Sequence, residues 1–143
     1  MYCTVTDITD TIPHRILIQL TDDDDTGNPD TGRTEKAIRD ASNEIDGHVG
    51  VKYSTPLSPV PDIIVKFAVD IAVYNLYGRR EQGPPDTKVE RYENAVSFLK
   101  RVATGKASLG ISDPGGNPLL DGAPIMSRKN PKRIFTRESM RDF

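Results

Sequence analysis

IIVKFAVDIAVYNLY, Ile63 to Tyr77, is the stretch on which the reading of the fold turns. Twelve of its fifteen residues are apolar, the exceptions being Lys66, Asp70 and Asn75. The Ile and Val content suits a strand, but strands usually end within about ten residues, and this run is longer. Lys66 and Asp70 stand at i,i+4, where opposite charges support a helix. Pro61 and Asp62 supply a suitable first turn and Gly78 a stop. A helix that is apolar nearly all round is a central one, covered by neighbouring helices or by other subunits. It is too short and too interrupted by polar groups to span a bilayer, which takes about 20 apolar residues.

Working outward, Arg33 to Val49 reads as an amphipathic helix. Ile38, Ala41, Ile45 and Val49 recur at spacings of three and four and form one stripe. Gly47 and Gly50 weaken its end. Between it and the central run lies KYSTPLSPVPD, Lys52 to Asp62, whose three prolines force an extended path. On the other side, Pro85 to Thr104 reads as a helix with Thr87 and Glu90 as a capping box. Its stripe is Val89, Tyr92, Val96, Leu99 and Ala103, widened by Ala95, Phe98 and Val102, and Gly105 closes it. Near the N-terminus, Thr6 is the expected cap of a short helix that Pro13 stops. Ile16, Leu17, Ile18 and Leu20 then form an apolar block, followed by the acidic loop TDDDDTGNPDTG, Thr21 to Gly32. After Gly105 no helical period persists. Asp113-Pro114, Gly115-Gly116 and Asn117-Pro118 mark turns, so the last part is a loose β-hairpin or an extended arm. The expected architecture is mainly α. It is a small bundle of three main helices and a short N-terminal helix, with long loops, a helical core over residues 1–105 and a C-terminal arm over 106–143.

Composition narrows the function classes. With 143 residues, 36% of them apolar, the chain builds one modest core. The single Cys3 forms no internal disulfide and implies no thiolate metal site. The opening residues lack the basic start and apolar run of a signal peptide, so synthesis and residence in a cytoplasm are expected. The net charge of -2 hides an asymmetry: residues 1–62 carry five Lys/Arg against twelve Asp/Glu, and residues 63–143 carry fourteen against nine. The last stretch concentrates Arg128, Lys129, Lys132, Arg133, Arg137 and Arg141 against Glu138 and Asp142. Such polarity suits head-to-tail contacts between copies or an acidic partner for the tail, although a tail charged for solubility has the same composition.

No catalytic constellation emerges. His14 and His48 stand outside any motif, and Cys3 reads as a small semi-buried apolar residue. Gly105-Lys106 lacks the upstream glycines of a phosphate loop. Taking Asp22, Asp24 and Thr26 as the first calcium ligands puts Arg33 where an EF-hand needs Glu, so Asp22, Asp23, Asp24 and Asp25 read as a solvated acidic loop. The basic tail lacks the interleaved aromatics of a single-strand binder, and no helix-turn-helix precedes it. No enzyme, cofactor or metal is expected. A small protein-interaction module and a nucleic-acid-binding accessory protein are the two alternative classes.

Several pieces in order, MYCTVTDI, ILIQLTDDDD and IRDASNEIDGHVGVKYSTPLSPVPDIIVKFAVDIAVYNLYGRR, followed by RYENAVSFLKRVATGKASLGI and FTRESMRDF, resemble the small connector proteins of Mu-like phages and prophages. The resemblance covers essentially the whole chain, and its specificity lies in the ordered set. It departs from the family pattern at Ile12 to His14, where Pro13 interrupts a more helical stretch. The resemblance implies a head-completion adaptor whose copies form a ring, roughly twelve-fold, beneath the portal protein. Such a ring continues the DNA channel and offers a surface to a stopper, completion or tail-terminator protein. It implies location in the virion at the head–tail joint after assembly in the host cytoplasm, DNA only as passing genome, and no membrane contact. The expected portal- or neighbour-binding segment starts at Leu109 and has Ile134, Phe135, Met140 and Phe143 as anchors, with Arg128, Lys129, Lys132, Arg133 and Arg137 beside them. Asp22 to Asp25 would face the channel or the rim.

Overall fold

The structure is a computed structural model that describes residues 1–111. Five helices follow one another: α1 Val5–Thr11, α2 His14–Thr21, α3 Thr31–Val49, α4 Asp62–Tyr77 and α5 Asp86–Ala103, with no strand among the described residues. The bundle is built on α4. Its most extensive contact is with α3, then with α5; α3 and α5 also touch, and α1 and α2 each lie across α3 and α4.

The central position of α4 follows from its surface. Ile64, Phe67, Ala68, Ile71, Ala72, Val73 and Leu76 are all buried, and so are Val69 and Asp70. Each fully buried Ile or Leu contributes roughly 1.5–3 kcal/mol of transfer free energy. From α3 the whole expected stripe, Ile38, Ala41, Ile45 and Val49, enters the core, joined by Ala37, Thr34 and Ser42. Asp30 caps α3 by accepting the Arg33 N–H at 3.0 Å, so the helix begins at Thr31, two residues before the expected start at Arg33.

Several sequence expectations change. The N-terminal part is two short helices rather than one helix and an apolar block, because Pro13 sits just before α2 with φ -55, a value that suits helix entry. The cap of α1 is Thr4, not Thr6: its hydroxyl accepts the Asp7 N–H while the Asp7 carboxylate accepts the Thr4 N–H. Thr87 lies inside α5, which starts at Asp86 after Pro85 with no side-chain cap. The buried face of α5 is Ala95, Leu99 and Val102, whereas Val96 and Ala103 of the expected stripe are half-buried on its flank.

The proline-rich connection is held at its start and its middle by tyrosines. Tyr2 accepts the Leu57 N–H at 2.9 Å and donates to the Asp46 carboxylate, and Tyr53 accepts the Leu109 N–H at 3.3 Å. Leu57, Tyr53 and Leu109 are all buried. Leu109, expected at the start of a segment reaching toward a partner, is instead part of this chain's own core, and Ala107 and Ile111 pack against it as well. The suggested hairpin falls within residues 112–143, outside the described residues. No helix among the described residues is long and apolar enough to cross a membrane.

Candidate interaction surfaces

The acidic loop is organised by Thr21, the last residue of α2, which is fully buried. Its hydroxyl donates to the Leu17 carbonyl at 2.8 Å and accepts the Asp30 N–H at 3.0 Å, which closes the base of the loop. Within the loop, Asp22 accepts the N–H groups of Thr26 at 3.0 Å and Gly27 at 2.7 Å, and Gly27 has the positive φ of 75 this turn requires. These bonds, the Thr26 amide first, hold the Asp22 carboxyl below the usual carboxylate range.

Asp23 is the centre of an arginine cluster. Arg79 reaches it at 2.7 Å, Arg80 at 3.0 Å and Arg33 at 3.2 Å. The same arginines also satisfy carbonyls at the end of α2: Arg79 donates to Leu20, Arg33 to Thr21 and Arg80 to Asp22. Partial desolvation pushes the Asp23 carboxyl upward, but the Arg79 hydrogen bond and the three guanidinium charges outweigh it and its pKa is lowered. The loop therefore does not present four equivalent carboxylates. Asp22 and Asp23 are engaged internally, and Asp24 and Asp25 remain at the exposed tip. No local sequence pattern marks Arg79 and Arg80, because their partner Asp23 lies 56 residues from Arg79 and one more from Arg80.

A second surface is the groove between α1 and α4, about 430 Å³ in volume. Val65 and Val69 line it, with Asp7, Asp10 and Thr11 from α1, Asp62, Lys66 and Asp70 from α4, and Arg91 from α5. Asp70 is 8% exposed. The ion pair expected between Asp70 and Lys66 does not form. Asp70 faces Arg91 at 3.7 Å, and Lys66 lies over the Phe67 ring at 5.8 Å.

A third surface, about 580 Å³, runs along α5 and has the opposite sign. Tyr92 and Val96 line it with Lys100, Arg101 and Lys106, and Glu93 is its one acidic residue. Tyr92 is fixed by stacking on Tyr74 at 4.1 Å and by donating to Glu44 at 2.9 Å. Burial, and then the Glu44 bond, push its hydroxyl up to about 12.

Cys3 is buried, and desolvation, with the nearby Asp7 charge, pushes its thiol up to about 11. His14 is exposed on α2 and His48 half-buried in the last turn of α3. No group of three or more His, Cys, Asp or Glu among the described residues is placed to hold a metal ion. The expected partner-binding residues, Arg128, Lys129, Lys132, Arg133, Ile134, Phe135, Arg137, Met140 and Phe143, lie outside the described residues.

A five-helix body of this composition is matched by the family model described as Bacteriophage Mu, Gp36, over residues 2–127. The chain belongs to the Bacteriophage Mu Gp36 family. Similar proteins include the Mu-like prophage FluMu protein gp36 of Haemophilus influenzae, 37% identical over 84 residues. That match covers 59% of this chain and 57% of the relative, so it spans less than two thirds of that protein's length. Gene product J of Escherichia phage Mu is 30% identical over 111 residues, 72% of this chain and 77% of the phage protein. The match to the Gp36 family takes in all five helices and both grooves, and ends just before Arg128.

Proposed function

We propose that this Gp36-family chain is a structural head–tail connector of a tailed phage. Its copies form a ring beneath the portal, extend the DNA channel and give the next tail-side protein, a stopper or a tail terminator, its docking surface. Membership of a phage Mu family is the observation that carries this reading. The surfaces support it. One small body bears a groove with four carboxylates against two cations and another with three cations against one carboxylate, and the two share no residue. Unlike surfaces on one subunit suit heterologous contacts, in which one face of each copy meets a different face of the next and the rotation closes a ring. In such a ring, Asp24 and Asp25 are the loop carboxylates free to face DNA or solvent.

The test is to mix the purified protein with portals of its own phage and image the product by electron microscopy. Ring-shaped density coaxial with the channel, below the portal, is the expected result and gives the copy number directly. Portals without added density, together with absence of the protein from mature virions by mass spectrometry, would overturn the connector reading in favour of a small interaction module outside the particle.

A further inference from the structure

The acidic groove between α1 and α4 carries more negative than positive charge, four carboxylates against Lys66 and Arg91. Asp70 is nine-tenths buried and is held among the described residues by a loose ion pair with Arg91 at 3.7 Å, longer than a hydrogen bond. Its carboxylate lines the open groove, where a further donor can reach it. The Arg91 side chain is 56% exposed and the groove is open, so there is room for a further donor. Asp7, Asp10 and Asp62 stand on the rim, and Val65 and Val69 offer apolar contact between them.

We propose that this groove receives the basic segment 126–143 of a second copy of the chain. The two surfaces match in both characters. The segment has six Arg/Lys against two acidic residues, and it also contains Ile134, Phe135, Met140 and Phe143. A guanidinium or ammonium from the segment adds a close donor to Asp70 and pairs with the rim carboxylates, and an apolar side chain covers Val65 and Val69. Reach permits it. Residues 112–125 number fourteen, which extended span up to about 45–50 Å from Ile111. A body of this size has a radius of gyration of roughly 13 Å, so the tether is long enough to leave one copy and enter the next. The choice of a second copy rests on the ring reading above; the pairing of segment with groove rests on charge and shape.

The test uses the full-length chain, labelled separately with ¹⁴N and ¹⁵N and mixed at high concentration and low salt, where screening is weakest. A zero-length carbodiimide couples ammonium groups to carboxylates in contact. The expected products join Lys129 or Lys132 to Asp7, Asp10 or Asp62, with mixed isotopes. Arg133→Glu with Arg137→Glu leaves both lysines in place and is expected to lower the yield at least fivefold, and Asp10→Arg with Asp62→Arg restores it through Asp7. Products of single isotope only would mean the segment occupies its own groove and would overturn the second-copy assignment. Absence of coupling, coupling to Asp24 and Asp25 as often as to the groove, or a yield indifferent to charge reversal would overturn the groove itself. A portal-bound ring without these cross-links sinks this inference alone, and cross-links without a portal-bound ring sink the connector reading alone.

Discussion

Replacing Tyr2 by Phe tests how the N-terminal segment is held to the bundle. The Tyr2 side chain is 5% exposed, and its backbone N–H donates to the Ser42 hydroxyl at 3.1 Å, a bond that Phe retains. The substitution keeps the ring and removes one oxygen. That oxygen donates to the Asp46 carboxylate and accepts the buried Leu57 N–H at 2.9 Å. A hydrogen bond to a charged group is worth about 1.5–3 kcal/mol net, and a buried amide left without an acceptor costs about 1–3 kcal/mol. Asp46 is half-buried and regains water, so the two losses together come to about 2–4 kcal/mol. Urea unfolding at neutral pH is expected to show a lower midpoint with an unchanged slope. The same hydroxyl makes a second forecast in alkali. Burial first, and then the Asp46 bond, push its pKa up to about 12. A raised folded-state value means the stabilisation is fully present below the ordinary tyrosine value of about 10 and is lost as pH rises through about 12. The wild type is therefore expected to lose stability between these values through Tyr2 and Tyr92, with the raised Cys3 thiol adding to the loss, and the Tyr2→Phe variant to lose it without the Tyr2 share. A loss under about 0.5 kcal/mol at neutral pH, the size of an ordinary surface change, would refute the pinning of the Pro-rich connection through this oxygen.

Ile71→Ala, at the centre of α4 and fully buried, is expected to cost about 2–5 kcal/mol in denaturant unfolding because the helices around it cannot collapse into the cavity. The two candidate caps separate cleanly: Asp30→Ala is expected to lose about 0.5–2 kcal/mol, as a true N-cap does, and Thr87→Ala to stay within about 0.5 kcal/mol. Asp23 has a lowered carboxyl pKa, so its contribution is present above the unfolded value near 4 and disappears as pH falls through the folded one. Asp23→Asn is accordingly expected to give an acid-unfolding profile flatter than wild type and a smaller response to salt, both read by circular dichroism.

The parts of the fold legible in the sequence are those in which a local pattern and burial coincide. The stripe of α3 and the all-round apolarity of α4 reach the eye because every turn repeats the signal. The rotation of the α5 face toward Ala95 and Val102 does not, since Val96 and Ala103 are as apolar as the residues that replace them, and only the position of α4 and α3 decides between them. At the N-terminus a capping rule could have been satisfied by either Thr4 or Thr6, and it was Asp7 three residues after Thr4 that made the first one reciprocal. The surfaces were less legible still. Asp22 to Asp25 look alike in sequence, yet Arg33, Arg79 and Arg80 converge on one of them across separations that no local rule spans. The acidic groove draws Asp7, Asp10, Asp62 and Asp70 from two helices that meet only in the folded chain.

Helix α4 joins the two acidic regions physically. Asp62 at its start lines the groove, and Arg79 and Arg80, just beyond its end, hold Asp23. Sixteen helical residues at about 1.5 Å each set these sites roughly 24 Å apart. Because α4 is packed by α3, α5, α1 and α2, bending it would require reorganising a core at crystalline density, so that spacing is stiff. A ring, as proposed, repeats a subunit at a fixed offset, and small errors in the offset accumulate around the circle until it fails to close. A rod buried on nearly all sides, with a contact surface at one end and a braced loop at the other, is what keeps that error small. The apolarity that first marked Ile63 to Tyr77 as the centre of the fold is thus also what would make its two ends dependable as reference points for neighbouring copies.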